Sequence, residues 1–85
     1  MYTINIVQSA LRELQKLEKP AIKRLEKAIT ALAKNPRPIG VKKLRGNTDA
    51  LYRIRSGDYR VIYSIEEEIK VVDIRKIGHR KDIYK

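Results

Sequence analysis

The apolar residues change their period part-way along the chain, and that switch limits the fold more than any other feature. Before residue 35 the stripe Ile22, Leu25, Ala28, Ile29 and Leu32 recurs at helical spacing. From Leu51 to Ile65, in "LYRIRSGDYRVIYSI", apolar and polar residues alternate as they do on a half-buried strand. Between them lies "NPRP", Asn35–Pro38, whose two prolines cannot extend a helical hydrogen-bond ladder.

Each side of this boundary can be read further. "YTINIV", Tyr2–Val7, is rich in β-branched residues and suits a short strand. Ser9 is placed to N-cap a helix over Ala10–Leu17, with Ala10, Leu11, Leu14 and Leu17 on one stripe. After "KLEKP", Pro20 is expected as the first residue of a second helix running to about Lys34. Beyond the prolines, "VKKLRG" (Val41–Gly46) predicts a short extended piece closed by a glycine turn. A hairpin follows around Ser56–Asp58, then an acidic turn at Glu66–Glu68, and a last strand from Ile69 to about Lys76. The expected fold is α+β: an N-terminal strand, a helical hairpin, then an antiparallel meander of three or four strands with the helices on one face. Eighty-five residues allow one hydrophobic core, so residues 1–85 are expected to form a single domain.

Strand parity sorts the charges. Arg53 and Arg55 share one face, opposite Tyr52 and Ile54; Arg60 and Ile62 share a face, opposite Val61 and Tyr63. A four-residue hairpin loop sets Arg55 across from Arg60 and Ile54 across from Val61. Tyr52, Ile54, Val61 and Tyr63 then form a core face, and the three arginines gather on the other. An odd loop would mix arginine with valine on both faces, which burial disfavours. Like charges directly opposite one another destabilise a sheet, so a polyanionic partner is expected there. Lys42, Lys43 and Arg45 extend this patch or rim it. The net charge of +10 agrees, because a small basic domain attracts nucleic acid by phosphate neutralisation and counterion release.

Composition removes several chemistries. With no cysteine there is no disulfide framework and no thiolate, and a single histidine argues against a zinc site. No cofactor is expected. "MYTINIVQSALREL" has no basic segment ahead of an apolar stretch, so it does not read as a secretion signal, and no apolar run approaches a membrane span. A cytoplasmic protein without membrane contact is the expectation.

A basic face without a carboxylate pair or a metal can still cut RNA, because RNA carries its own nucleophile in the 2′-hydroxyl. The protein must take that proton, stabilise the phosphorane and protonate the leaving 5′-oxygen. In "GHRKDIYK", Gly78–Lys85, two side chains are candidates for the base. His79 is one, because histidine is the side chain type suited to proton transfer near neutral pH. Tyr84 becomes competent if neighbouring cations such as Arg80 and Lys81 favour its phenolate.

Three pieces, "KKLRGN", "LYRIRSGDYRVIY" and "IGHRKDIY", resemble RelE-type toxins of toxin–antitoxin modules, within the RelE/ParE superfamily. The resemblance covers nearly the whole chain. The first two pieces mark the fold, and the Gly-His-Arg followed by a tyrosine resembles the ribonuclease branch. It implies a metal-independent mRNA interferase that cuts mRNA in the A site of the 30S subunit, against 16S rRNA, and is neutralised by a RelB-like antitoxin. By position, Tyr84 matches the general base and Arg80 the group that stabilises or protonates the leaving oxygen. Arg60 matches the residue holding the scissile phosphate, and Arg53 and Arg55 fall where members carry activating basic residues. His79 becomes auxiliary, grouped with Lys42, Lys43, Arg45 and Lys81 as RNA-binding. Arg80 and Tyr84 lie closer together than in the best-known members. Two other readings compete: a ParE-like toxin that poisons gyrase, and a non-catalytic RNA- or ribosome-binding module.

Overall fold

The computed structural model describes residues 1–44 and 50–79. It contains β1 (Thr3–Ile6), α1 (Gln8–Gln15), α2 (Lys19–Ala31), β2 (Lys42–Lys43), β3 (Leu51–Ser56), β4 (Tyr59–Glu66) and β5 (Val71–His79). The strands form one sheet in the order β1-β5-β4-β3-β2. The α+β class and the one-sided helices are as expected. The sheet is mixed, however, since β1 runs parallel to β5, with Thr3 opposite Val71 and Ile6 opposite Ile74. Five strands are therefore joined where local patterning gave a meander and a separate N-terminal strand.

Several boundaries move for identifiable reasons. Ser9 does not cap α1. The Val7 N–H still bonds the Ile74 carbonyl across the sheet (3.0 Å), while the Val7 carbonyl already accepts from Leu11 N–H (3.0 Å). The chain thus passes from strand to helix with extended Val7 at the cap, and Ser9 lies inside the first turn. Helix α2 starts at Lys19, so Pro20 sits one residue into it, where its missing N–H costs nothing. It ends at Ala31, three residues before Lys34. Leu32, Ala33 and Lys34 tighten the last turn with bonds to the carbonyls of Ile29, Thr30 and Ala31. Asn35 Oδ1 then accepts from Arg37 N–H (3.1 Å) and turns the chain out of the helix. The expected extended piece Val41–Gly46 reduces to Lys42–Lys43, and its glycine turn lies outside the described residues.

The hairpin keeps the even register: Ile54 opposes Val61 and Arg55 opposes Arg60. Pairing continues to Ser56–Tyr59, so the connection is only Gly57–Asp58. Gly57 has φ +61° at the first position of this two-residue turn, which glycine adopts without steric cost. The second turn is shifted. β4 runs through Glu66, and the chain reverses over residues 67–70 with Lys70 at φ +55°. Ile69, expected to open the last strand, is instead an exposed turn residue. β5 begins at Val71 and extends to His79, so Gly78 and His79 of the Gly-His-Arg motif are strand, and Arg80 lies outside the described residues.

The core occupies one sheet face, with α1 lying over β5 and α2 over β3. Leu25 of α2 and Leu32 just beyond its end share one core cluster with Val61, Tyr63, Val72 and Ile74, all essentially without solvent exposure. With no Phe or Trp in the chain, Tyr63 supplies the large core aromatic. Its hydroxyl donates to the Pro36 carbonyl (2.7 Å), and its ring stacks on Tyr52 with centroids 5.9 Å apart. The sheet is thereby pinned to the proline loop. Around this pair Arg37 bonds Glu67 (2.7 Å) and lies over the Tyr52 ring, and the Tyr2 hydroxyl donates to the other Glu67 oxygen (2.7 Å). Those bonds hold the Glu67 carboxyl below its ordinary range, the one from Tyr2 first and that from Arg37 second.

Burial pushes the Tyr63 hydroxyl from 10.0 up to about 12. Because its folded pKa is raised, its contribution is fully present below pH 10 and is lost as pH rises toward about 12. Tyr63→Phe is expected to cost about 1 kcal/mol at neutral pH from the lost hydrogen bond. The same variant should lose Tyr63's share of the alkaline destabilisation. Urea unfolding across a pH series measures both effects.

Candidate functional site

The helices leave the other sheet face uncovered, and the register determines which side chains stand on it. Arg55 on β3, Arg60 on β4 and Gly78 on β5 form one row across the sheet. The neighbouring row is Lys42 on β2, Arg53 on β3, Ile62 on β4 and Lys76 on β5. A third row, Leu51–Ser64–Asp73–Asn5, lies beyond it. The three sheet arginines of the sequence reading are thus brought together on the face opposite the core. Arg55 is exposed, while Arg53 and Arg60 are half-buried. Ile62, opposite Arg53 and two residues along β4 from Arg60, is only 6% exposed despite facing away from the helices.

Two of the expected RNA-binding residues face the other way. Lys43 pairs with Tyr52 and so belongs to the helix side, in contrast to Lys42. His79 pairs with Tyr59, and its ring meets the Tyr59 ring edge-on at 5.8 Å. Both rings line an open pocket of about 430 Å³ beneath α1, together with Glu13 and Leu17. His79 therefore stands on the opposite side of the sheet from the arginines. Tyr84, Arg80, Lys81 and Arg45 lie outside the described residues.

Two cations on the arginine face were missed. Register shifts on β5, because Ile62 opposes Lys76 while Tyr63 opposes Ile74, leaving Arg75 as the extra residue of a β-bulge. Arg75 and Lys76 are consequently consecutive, and both stand on the arginine face. Arg75 Nε donates to Ser64 Oγ (3.3 Å), and Lys76 is exposed. The signal lay in the spacing of the buried residues Val72, Ile74 and Ile77, which breaks the period of two. Acidic side chains on this face, Asp73 and Glu66, sit toward the end of the sheet away from the hairpin. Asp73 accepts from Asn5 (2.6 Å).

Chemically, this is a surface for an anion whose charge is spread over several positions. Among the described residues no group of three or more His, Cys, Asp or Glu could hold a metal ion. Nor is any described helix long and apolar enough to cross a membrane.

A family model described as the ParE toxin of type II toxin–antitoxin systems matches residues 4–84. The chain belongs to the RelE/ParE family of toxins. Among its relatives, Toxin RelE of Mycobacterium tuberculosis is 38% identical over 85 residues, covering 99% of this chain and 87% of that protein. The mRNA interferase toxin RelE of Escherichia coli is 32% identical over 81 residues, with 94% and 84% covered. The fold is also similar to the toxin in the archaeal RelE–RelB complex from Pyrococcus horikoshii. There the TM-score is 0.82 at 38% identity, with 95% of this chain and 97% of that chain covered. Its RelE-type relatives place the chain in the RelE branch of this family.

The direct Arg55–Arg60 pairing has a measurable cost. Arg55→Thr is expected to stabilise the fold by about 0.2–1 kcal/mol at low ionic strength, with the gain shrinking as salt screens the repulsion. Thermal melts at two salt concentrations check this.

Proposed function

We propose that the chain is the toxin of a type II toxin–antitoxin pair and acts as an mRNA interferase, cutting mRNA in the ribosomal A site. The observation carrying this reading is the cationic sheet face built by Arg53, Arg55 and Arg60, opposite the face that α1 and α2 cover, on a chain 32% identical to a protein named an mRNA interferase. On this reading the RNA 2′-oxygen attacks the adjacent phosphorus, forming the O2′–P bond while the P–O5′ bond breaks. The products are a 2′,3′-cyclic phosphate and a free 5′-hydroxyl. Tyr84 takes the 2′-proton, and Arg80 assists protonation of the leaving 5′-oxygen. Arg60 grips the scissile phosphate with Arg55 directly opposite, so two guanidinium groups meet the charge that grows on the phosphorane. Gly78, next in that row, presents no side chain of its own beside Arg60. His79 contributes on the helix side and not to the chemical step.

The partners follow from the same reading. A RelB-like antitoxin neutralises the toxin, as the RelE–RelB complexes of similar structure suggest. An acidic, amphipathic segment wrapped over the helical hairpin and sheet suits the net charge of +10. The description of the matching family model as ParE keeps a gyrase-directed toxin as the second reading.

Inducing the toxin and mapping 5′ ends on translated and untranslated copies of one message separates these readings. Codon-phased cuts confined to the translated copy are expected. Tyr84→Phe should abolish them, and Arg60→Ala should reduce the cleavage rate about 100-fold, the scale for losing one group that stabilises an oxyanion. Arrest of DNA replication without such cuts would favour the ParE-like reading. Cutting undiminished by Tyr84→Phe would remove Tyr84 as the base.

A further inference from the structure

We propose that the row Lys42–Arg53–Ile62–Lys76, joined by Arg75, is a phosphate track that holds the RNA backbone beside the scissile bond and leads it across the strands from β2 to β5. This rests on the interferase reading and adds to it a path and two residues, Arg75 and Lys76.

Four observations carry it. First, the row is continuous in register: Lys42 opposes Arg53, Arg53 opposes Ile62, and Ile62 opposes Lys76. Three inter-strand gaps of about 4.8 Å make it about 14 Å long, enough to span consecutive phosphates of an extended strand. Second, the row lies next to the Arg55–Arg60 row. Residues two apart on one strand are separated by about 6.7 Å, so an RNA whose scissile phosphate sits at Arg60 brings flanking phosphates over Arg53 and Lys76. Third, the bulge adds cations to this face. Without the extra residue, Lys76 would point into the core beside Val61; with it, Ile77 takes that place and Arg75 and Lys76 both turn outward. The bond from Arg75 Nε to Ser64 Oγ fixes the first of them. Fourth, apart from Asp58 in the turn itself, the charge of the described strands is polarised. Cations occupy the two rows nearest the hairpin, while Asp73 and Glu66 stand in the rows beyond and close the face to a polyanion there. Ile62, buried between Arg53 and Lys76 in this row, adds no charge of its own.

The test is the salt dependence of binding to a short 2′-O-methyl oligoribonucleotide, which lacks the attacking hydroxyl and cannot be cut. For single strands each phosphate contact contributes about 0.7 to the slope of log K against log salt. Lys76→Gln and Lys42→Gln should each lower the slope by about that amount and leave the urea midpoint unchanged. Arg75→Gln should lower it as well. Lys23→Gln, on the exposed side of α2, should not change it. On translating ribosomes Lys76→Gln should raise KM with kcat unchanged, as expected for contacts kept equally in ground and transition states. An unchanged slope and KM in Lys76→Gln, alongside a reduced slope in Arg60→Ala, overturns the track and leaves the interferase reading standing. Absence of salt-dependent RNA binding by the unsubstituted protein also overturns the track. The interferase reading is judged separately, by translation-dependent cutting. If Lys76→Gln spares the RNA slope but flattens the salt dependence of binding to polyglutamate, the row serves an acidic protein segment instead, and the RNA track is overturned.

Discussion

Every charge on the exposed face is set by the buried row behind it. Ile54, Val61 and Ile77 lie opposite one another across three strands and are covered by the helices. A one-residue slip at either interface would bring arginines or lysines under α1 and α2 and turn the aliphatics out to water. Burial of each aliphatic side chain is worth about 1.5–3 kcal/mol, whereas like-charge repulsion on the open face costs tenths. The apolar term dominates, so the arginines are held together by the core on the opposite side of the sheet. A cationic surface is thereby carried on the sheet, with its electrostatic strain offset on the opposite face.

The tyrosine–arginine cluster plays a comparable role at the junction of the two halves. The prolines at 36 and 38 end the helical half but do not determine where the chain goes next. Tyr63 does, by donating to the Pro36 carbonyl from inside the sheet. Arg37, Glu67 and Tyr2 then join the proline loop, the β4–β5 turn and the N-terminal strand. Tyrosine suits this position where phenylalanine would not, since one side chain fills the core and satisfies a backbone acceptor. Exposed pairs such as Arg37–Glu67 contribute modestly alone. Their importance lies in joining three segments distant in sequence.

Much of the site could be read before the fold was known. Arg53, Arg55 and Arg60 share a face because alternation fixes their side and the Gly57 turn keeps an even count. Arg75 and Lys76 could not be placed by that rule, because a bulge changes parity without changing composition. His79, a candidate base by chemistry and auxiliary by resemblance, pairs with Tyr59, which sets it on the helix side, across the sheet from the arginines. Lys43 differs from Lys42 by one residue and hence by a whole face.

The sequence by itself determined the helical hairpin, the proline boundary, the hairpin register and the face on which the arginines gather. These depend on period, turn length and burial, which act over a few neighbouring residues. Only the tertiary structure decided that β1 lies parallel to β5, that Val7 and not Ser9 caps α1, and that β5 bulges at Arg75. Each depends on a partner roughly seventy residues away or on which hydrogen bonds the adjacent strand leaves available, as with the bond from Val7 to Ile74. Long-range pairing closes large loops at an entropic cost that no local pattern records, and the gain that offsets it is realised only in the assembled sheet.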